Sequence, residues 1–381
     1  METIVNTLLQ LIRINSETGN EFLISNVIES LLIKNDFTVM KQKVDTNRYN
    51  VIAYPQLCDP KEIKLLFSGH IDTVPIEPSN SIAHSESSNS SNSIWTTNPY
   101  GELKNNNIYG RGSVDMKGGI ACFICAGLEM MKNKNKFAFI FTVGEEINMI
   151  GVRTVITDVK NIFPNIQNFI VAEPTNMKAL IAHKGGLSMK ITTHGKSVHA
   201  SIPEQGENAI YKAIDIIRDL RNYRENVQSQ NPVLTKPTIN IGIIHGGTAT
   251  NQVPNECNFC VETRIVPPET VVDIETKMKQ IINQYNGVDI EVICKIPPFS
   301  ISQDDPFLLT ILDSLNYLKM DAKPIGISFC AESSFYCDNG LKGIVLGPGD
   351  PNQCHTIDEH VDINQLETAY DIYKLIIERC C

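Results

Sequence analysis

Short apolar runs that are typical of buried strands alternate with longer amphipathic stretches along most of the chain. The strand-like runs are IKLLFSG (63–69), FAFIFTV (137–143), FIVA (169–172) and GIVLG (343–347). Unbroken apolar runs suit strands that are covered on both faces, as in parallel sheets flanked by helices. Helical patterns occupy 1–21, 118–131, 306–318 and 367–380. The pattern therefore predicts an α/β domain with a mixed, mostly parallel sheet flanked by helices.

The segment 182–294 has a different pattern. It shows strand, helix, two strands, helix and strand in turn, which is the β-α-β-β-α-β order of a ferredoxin-like domain. This element set is complete, so we predict an inserted domain at 182–294 between two parts of one domain, 1–181 and 295–381. The Ser- and Asn-rich stretch at 77–93 cannot bury enough apolar surface to fold alone, and we predict that it is a flexible surface loop.

Composition excludes several classes of protein. The 381 residues are 42% hydrophobic and carry a formal net charge of −10, which is ordinary for a soluble globular protein and argues against a nucleic-acid partner. No apolar run approaches the roughly 20 residues that span a bilayer, and the N-terminus lacks a signal-peptide pattern. We therefore expect a cytoplasmic protein without a membrane partner. The 11 cysteines are scattered, and Cys257 and Cys260 lie in a strand-like alternation that favours buried thiols over a redox pair.

Candidate metal ligands follow each of the apolar runs. Ligands of open α/β sheets bind beyond the carboxyl ends of the strands, so these side chains are expected to converge. Carboxylates and imidazoles grouped in this way predict a site for one or two divalent metal ions. A histidine or glutamate alone is more often an ordinary structural or solvated residue; the joint pattern favours a metal site. The residues are His70 and Asp72, Glu145 and Glu146, Glu173, and His355.

Asp115 lies in GRGSVDMKGG, directly before a predicted helix. On this segment alone, a helix cap is the favoured interpretation and a metal ligand is the alternative. The glycine-rich segment matches neither a P-loop nor the G-x-G-x-x-G pattern, so nucleotide binding is not predicted.

Six motifs together resemble a family of zinc-dependent amidohydrolases and peptidases. They are GHIDTVP (69–75), GRGSVDMKGG (110–119), GEE (144–146), AEPT (172–175), GKSVHASIP (195–203) and NQCHTIDE (352–359). The family includes acetylornithine deacetylase, succinyl-diaminopimelate desuccinylase, aminoacylase and carboxypeptidase G. The motifs stand in the family's order over almost the whole chain, so the resemblance is specific.

The resemblance implies a role for each candidate residue. His70 and Glu173 would bind one metal ion, Glu146 and His355 would bind a second, and Asp115 would bridge the two. Asp72 would orient the imidazole of His70 through its second nitrogen, as carboxylates commonly do for metal-binding histidines. Glu145 would be the general base that accepts a proton from the attacking water and later delivers it to the leaving amine. The implied metal is Zn²⁺, with Co²⁺ as the alternative.

Three residues of the inserted domain are also implied. His199 would donate to the oxyanion of the scissile carbonyl from the partner subunit of a homodimer; the alternative is an ordinary loop histidine. Arg264 would bind the substrate's free carboxylate, for which a planar guanidinium is suited; the alternative is a surface salt bridge. Asn251 matches a substrate-contacting position. The inserted domain would thus serve as lid and dimerisation domain.

The implied reaction is hydrolysis of the amide bond of a small N-acyl amino acid. The segments IAHKGG, PTINIGIIHGG, CAESSF and LGPGDPNQCHTIDE look most like acetylornithine deacetylase. We therefore expect N-acetylornithine to yield ornithine and acetate, a step of arginine biosynthesis. The alternatives are desuccinylation of N-succinyl-diaminopimelate and a broader acylamino-acid or dipeptide hydrolase. A catalytically silent binding or assembly protein is the option outside this class, although no candidate base or ligand is missing.

Overall fold

The computed structural model of the protein describes residues 2–76, 94–133, 135–228 and 230–381. The predicted Ser- and Asn-rich loop, 77–93, lies outside the described residues. The chain forms two compact units, of which the first comprises Met1–Ile181, Ile301–Ile325 and Ala331–Cys381. The second comprises Ala182–Ser300 and Gly326–Cys330. Among the helices described, none combines the length and apolar character that a membrane crossing needs.

The first unit is built on a central sheet with the strand order β1-β2-β6-β3-β7-β15-β8. Strands β6, β3, β7 and β15 are parallel to one another, and β1, β2 and β8 are antiparallel to their neighbours. The strands are β1 (Phe37–Asp45), β2 (Arg48–Pro55), β3 (Leu65–His70), β6 (Phe137–Thr142), β7 (Asn168–Val171), β8 (Leu180–His183) and β15 (Lys342–Val345). Every residue of β3 and β6 is buried, as their unbroken apolar runs predict.

Several shorter strands extend this sheet or form a further one. Strands β13 (Phe299–Ser300) and β14 (Ile325–Ile327) pair with β8. Strands β4 (Glu102–Lys104), β5 (Asn107–Tyr109) and β16 (His360–Asp362) form a separate small sheet in the order β16-β5-β4.

Helix α3 (Lys117–Met130) is buried along nearly its whole length, between the sheet and two other helices. The ring centroid of Phe123 lies 4.7 Å from that of Phe67 on β3 and 4.4 Å from that of Tyr373 on α11 (Ile363–Cys380). Gly119 lets the helix pack closely on the residue that follows β7, because a Cβ at position 119 would lie 2.5 Å from the carbonyl oxygen of Ala172. The helices of this unit are α1 (Glu2–Ile12), α2 (Phe22–Lys34), α3, α4 (Glu145–Asn148), α5 (Ile150–Val155), α6 (Val159–Ile162), α9 (Pro306–Tyr317), α10 (Ser333–Asp338) and α11 (Ile363–Cys380).

The second unit has the element order β-α-β-β-α-β, with an antiparallel sheet in the strand order β10-β11-β9-β12. Strand β11 alternates buried and half-buried residues because helices cover only one face of the sheet. Cys257 is buried in this strand, and both it and Cys260 are free thiols. The predicted fold class is confirmed. The elements are β9 (Gly185–His194), α7 (Ala209–Glu225), β10 (Thr238–Gly246), β11 (Glu256–Ile265), α8 (Val271–Ile282) and β12 (Val288–Ile296).

Candidate metal centre

The carboxyl ends of three neighbouring parallel strands bring the first candidate ligands together. His70 ends β3, Glu145 follows β6, and Glu173 follows β7. The imidazole of His70 is buried, and its Nε2 lies 3.6 Å from Oε1 of Glu173. The same nitrogen lies 2.9 Å from Oδ1 of Asp115, which comes from the loop before α3. The edge of the sheet therefore gathers one imidazole and several carboxylates.

Asp115 stands between two histidines and contacts each with a different oxygen. Its Oδ2 lies 3.2 Å from Nε2 of His355, and that nitrogen also lies 3.0 Å from Oε2 of Glu146. The N-cap position of α3 is Met116, and no side chain caps the helix there. The helix-cap interpretation of Asp115 is therefore wrong, since its carboxylate faces the two imidazoles instead.

The arrangement of donor atoms fits divalent cations. Ligand atoms of His70, Glu145 and Glu173 lie within 4.8 Å of one another, as do those of His70, Asp115 and Glu146. A set of carboxylate oxygens and imidazole nitrogens suits zinc and other first-row divalent ions. Glu145 belongs to the first of these groups, so geometry alone leaves it able to act as a ligand or as a base.

The electrostatics of this cluster favour bound positive charge. Burial raises the pKa of Glu145 and Glu173 well above the usual range, and neighbouring carboxylates add to this effect. Hydrogen bonds to Asp115 and Glu146 raise the pKa of His355 to about 10. Burial opposes charge on His70, yet Glu173 and Asp115 raise its pKa well above the ordinary value. These raised pKa values mean that the carboxylates and imidazoles tend to hold protons, which offset the negative charge that bound cations would otherwise offset.

Asp72 holds the two adjacent glutamates in place. Its buried carboxylate accepts hydrogen bonds from the backbone N–H groups of Glu145 (3.0 Å) and Glu146 (3.2 Å) at the start of α4. Nδ1 of His70 is closer to the carbonyl oxygen of Asp72, at 2.9 Å, than to its carboxylate, at 3.6 Å. Burial opposes ionisation, but His70 and the hydrogen bonds from Thr18 and the backbone of Glu145 lower the pKa of Asp72. The residue therefore positions the glutamates as well as the imidazole.

Two supporting residues were not identified in the sequence. Thr18 Oγ1 donates to Oδ2 of Asp72 at 2.7 Å, so the segment after α1 reaches the centre. The buried carboxylate of Glu359 accepts the backbone N–H of Asp115 at 3.2 Å. Glu359 was visible within the NQCHTIDE motif as an acid four residues after a candidate ligand. Thr18 had no comparable signal, because its contact joins distant parts of the chain.

His199 and Asn251 lie in neighbouring segments of the second unit. The backbone N–H of Ala200 donates to the carbonyl oxygen of Asn251 at 2.9 Å. The imidazole of His199 is exposed, and its Nδ1 accepts the backbone N–H of Ser201 at 3.2 Å. Because Nδ1 accepts a hydrogen bond, the neutral ring carries its proton on Nε2. That tautomer presents an N–H donor, as an oxyanion contact requires.

Arg264 lies on β11 of the second unit and already makes two contacts. Its Nη2 lies 2.7 Å from Oε1 of Glu262, which is the half-exposed salt bridge considered as an alternative. Its Nη1 donates to Sγ of Cys330 at 3.1 Å. These contacts use two of the five N–H groups of the guanidinium.

Comparison with known proteins identifies the family. The sequence profile described as peptidase family M20/M25/M40 matches residues 66–379. The chain belongs to this family. It is a metal-dependent hydrolase of the peptidase and amidohydrolase class. Acetylornithine deacetylase of Buchnera aphidicola subsp. Schizaphis graminum is 29% identical, over 96% of this chain and 94% of the relative. A probable succinyl-diaminopimelate desuccinylase of Staphylococcus aureus strain MSSA476 is 27% identical, over 97% and 95%.

Solved structures share the fold. The aminopeptidase PepT of Bacillus cereus superposes with a TM-score of 0.78 at 20% identity, covering 99% of this chain and 98% of that one. A Bacillus subtilis protein described as a dinuclear metal binding peptidase of the M20 family superposes with a TM-score of 0.69 at 15% identity, covering 99% and 97%. The profile match and the two relatives confirm the expected family and enzyme class.

Proposed function

We propose that this M20 enzyme removes the acetyl group from N-acetylornithine, releasing ornithine and acetate. The convergence of His70, Asp115 and Glu173 around one point, with Glu145 beside them, is the observation that supports amide hydrolysis. The substrate is proposed from the acetylornithine deacetylase of Buchnera, which aligns over 96% of this chain. The CAESSF and NQCHTIDE segments also resemble acetylornithine deacetylase.

The residues of the chain divide the chemistry among them. Divalent ions, held by His70, Asp115, Glu146, Glu173 and His355, would supply Lewis-acid polarisation and a water of lowered pKa. Glu145 accepts a proton from the attacking water at its carboxylate and donates it to the departing amine. Asp72 keeps the backbone of Glu145 fixed while the carboxylate remains free to exchange protons. His199 donates a hydrogen bond from its Nε2–H to the developing oxyanion.

A hydrolysis screen tests the proposed substrate. N-acetylornithine, N-succinyl-diaminopimelate, simple N-acetyl amino acids and a dipeptide would be compared by kcat/KM with added Zn²⁺ or Co²⁺. We expect N-acetylornithine to be the best substrate, because the CAESSF and NQCHTIDE segments resemble those of the deacetylases. A best rate with the succinyl compound would assign desuccinylation instead, and a flat profile would refute both specific assignments.

The role of Arg264 can be separated within the same screen. The carboxamide of N-acetylornithine lacks the carboxylate that the guanidinium would bind. Arg264→Met should remove the preference of the enzyme for the acid over this carboxamide, chiefly through KM. Lys190→Met serves as a matched control, because Lys190 is an exposed cation on the neighbouring strand β9.

We also propose that the chain forms a homodimer through the second unit. Strand β10 is an edge of its sheet, and Ile243 and Ile244 on it are 52% and 47% exposed. Helix α7 exposes Tyr211 and Ile214 to 68% and 51%. An exposed apolar edge strand is a site for pairing with another chain, and pairing of two β10 strands about a two-fold axis would be self-complementary.

A complementation experiment tests both the dimer and the origin of His199. Glu145→Gln and His199→Ala chains would be produced separately and together. If His199 acts across the interface, each mixed dimer has one intact site, and random pairing restores about a quarter of wild-type activity. Action of His199 within its own chain would restore none. Ile243→Lys should reduce the dimer in sedimentation, whereas the exposed Ile293→Lys on β12 is the control.

A further inference from the structure

The loop that carries Asp115 has no regular secondary structure of its own. It runs between β5 and α3, yet Asp115 must present one oxygen to His70 and the other to His355. A carboxylate that bridges two metal ions would tolerate little displacement, because coordination distances vary by only about 0.2 Å. Something outside the loop must therefore hold its backbone.

The side chain of Glu359 holds this loop through four hydrogen bonds. Its Oε1 accepts the backbone N–H groups of Val114 at 2.9 Å and Asp115 at 3.2 Å. Its Oε2 accepts the backbone N–H of Gly112 at 3.1 Å and Nη1 of Arg111 at 2.8 Å. The carboxylate of Glu359 is fully buried, so water does not compete for these donors.

The segment 355–359 thus contacts Asp115 at two points. His355 meets its carboxylate, and four residues later Glu359 meets its backbone N–H. A carboxylate is needed for this arrangement, since an amide has one oxygen and would turn its own N–H groups toward two of the donors.

We propose that Glu359 is a positioning residue that places the carboxylate of Asp115 between His70 and His355 and thereby sets the affinity of the centre for divalent metal. The inference rests on the metal-ligand roles in the proposed function. Glu359 would support a metal ligand without binding metal itself, and loss of such a supporting residue typically weakens metal binding by about 10–100-fold.

The test compares Glu359→Gln with Asp358→Asn. Asp358 is the neighbouring acid, and its carboxylate accepts hydrogen bonds from Thr96 and Thr97 rather than from the Asp115 loop. Zinc affinity would be measured by competition with a chromophoric chelator, and the visible spectrum would be recorded after loading with Co²⁺. We expect about 10–100-fold weaker zinc binding and an altered cobalt spectrum for Glu359→Gln only.

Thermal unfolding of the metal-free proteins separates this role from a purely structural one. A structural role would lower the unfolding temperature while the folded variant kept wild-type zinc affinity and cobalt spectrum, and that result overturns the inference. If Glu359→Gln does not fold, Glu359→Asp replaces it; it keeps the carboxylate but withdraws it by one methylene. An unchanged cobalt spectrum in folded Glu359→Asp overturns the inference as well. Failure of wild-type protein to bind any divalent ion would instead refute the proposed metal centre.

Discussion

Glu145→Gln is expected to lower kcat by about 10²–10⁴-fold, because a glutamine side chain cannot accept the proton of the attacking water. The carboxamide has nearly the size of the carboxylate, and the backbone N–H of Glu145 can still donate to Asp72. KM and metal content should change little. Steady-state kinetics and metal analysis of the same purified sample measure both quantities.

Glu146→Gln is the matched comparison for this variant. It lies one residue away, is held by the same carboxylate of Asp72, and contacts His355. We expect this change to weaken metal binding, so that its activity recovers partly at high metal concentration. If Glu145→Gln lost metal in the same way, Glu145 would be a ligand, as its place beside His70 and Glu173 permits. Unchanged activity would remove it from the mechanism.

Removing the metal by chelation should abolish hydrolysis, and adding Zn²⁺ or Co²⁺ should restore it. The same treatment should lower the unfolding temperature, because an ion that binds only the folded state stabilises it by about 4 kcal/mol at 1,000 times its Kd. Burial and neighbouring carboxylates raise the pKa of Glu145 and Glu173, so a bound cation would offset the cost of ionising them. Calorimetry with and without chelator measures the shift.

Asp115→Asn provides the control for this prediction. The substitution removes the charge that faces both His70 and His355, while Glu359 can still accept the backbone N–H of residue 115. Its unfolding temperature should respond little to chelator. A wild-type protein that retains full activity after complete removal of divalent ions would contradict the metal-dependent mechanism.

The sheet could be predicted because strands that are buried on both faces consist almost entirely of apolar residues. Strands β3 and β6 are unbroken apolar runs, and both are fully buried. The convergence of His70, Glu145 and Glu173 then follows from topology, since parallel strands end at the same edge. In the second unit, strand β11 alternates buried and half-buried residues in the way that a half-covered sheet requires.

The supports of the centre could not be predicted from local pattern. The environment of Asp115 depends on where its loop lies, and the local segment favoured a helix cap. Thr18 reaches Asp72 across 54 positions of sequence, and Glu359 reaches Asp115 across 244. Such contacts are set by tertiary packing, which hydrophobic periodicity does not record. The resemblance to a family supplied roles for ligands, but it named neither of these supports.

The pairing of β15 with β7 determines when the centre can form during synthesis. Strand β7 ends at Val171, but its partner begins only at Lys342, and His355 comes later still. At about 5–20 residues per second, the ribosome needs roughly 10–30 seconds to supply that partner. Until then β7 lacks the neighbour on that side and Asp115 lacks both His355 and Glu359. The nascent chain therefore displays Glu173 and His70 without a complete ligand set, and selective metal loading must await synthesis of the chain through Glu359.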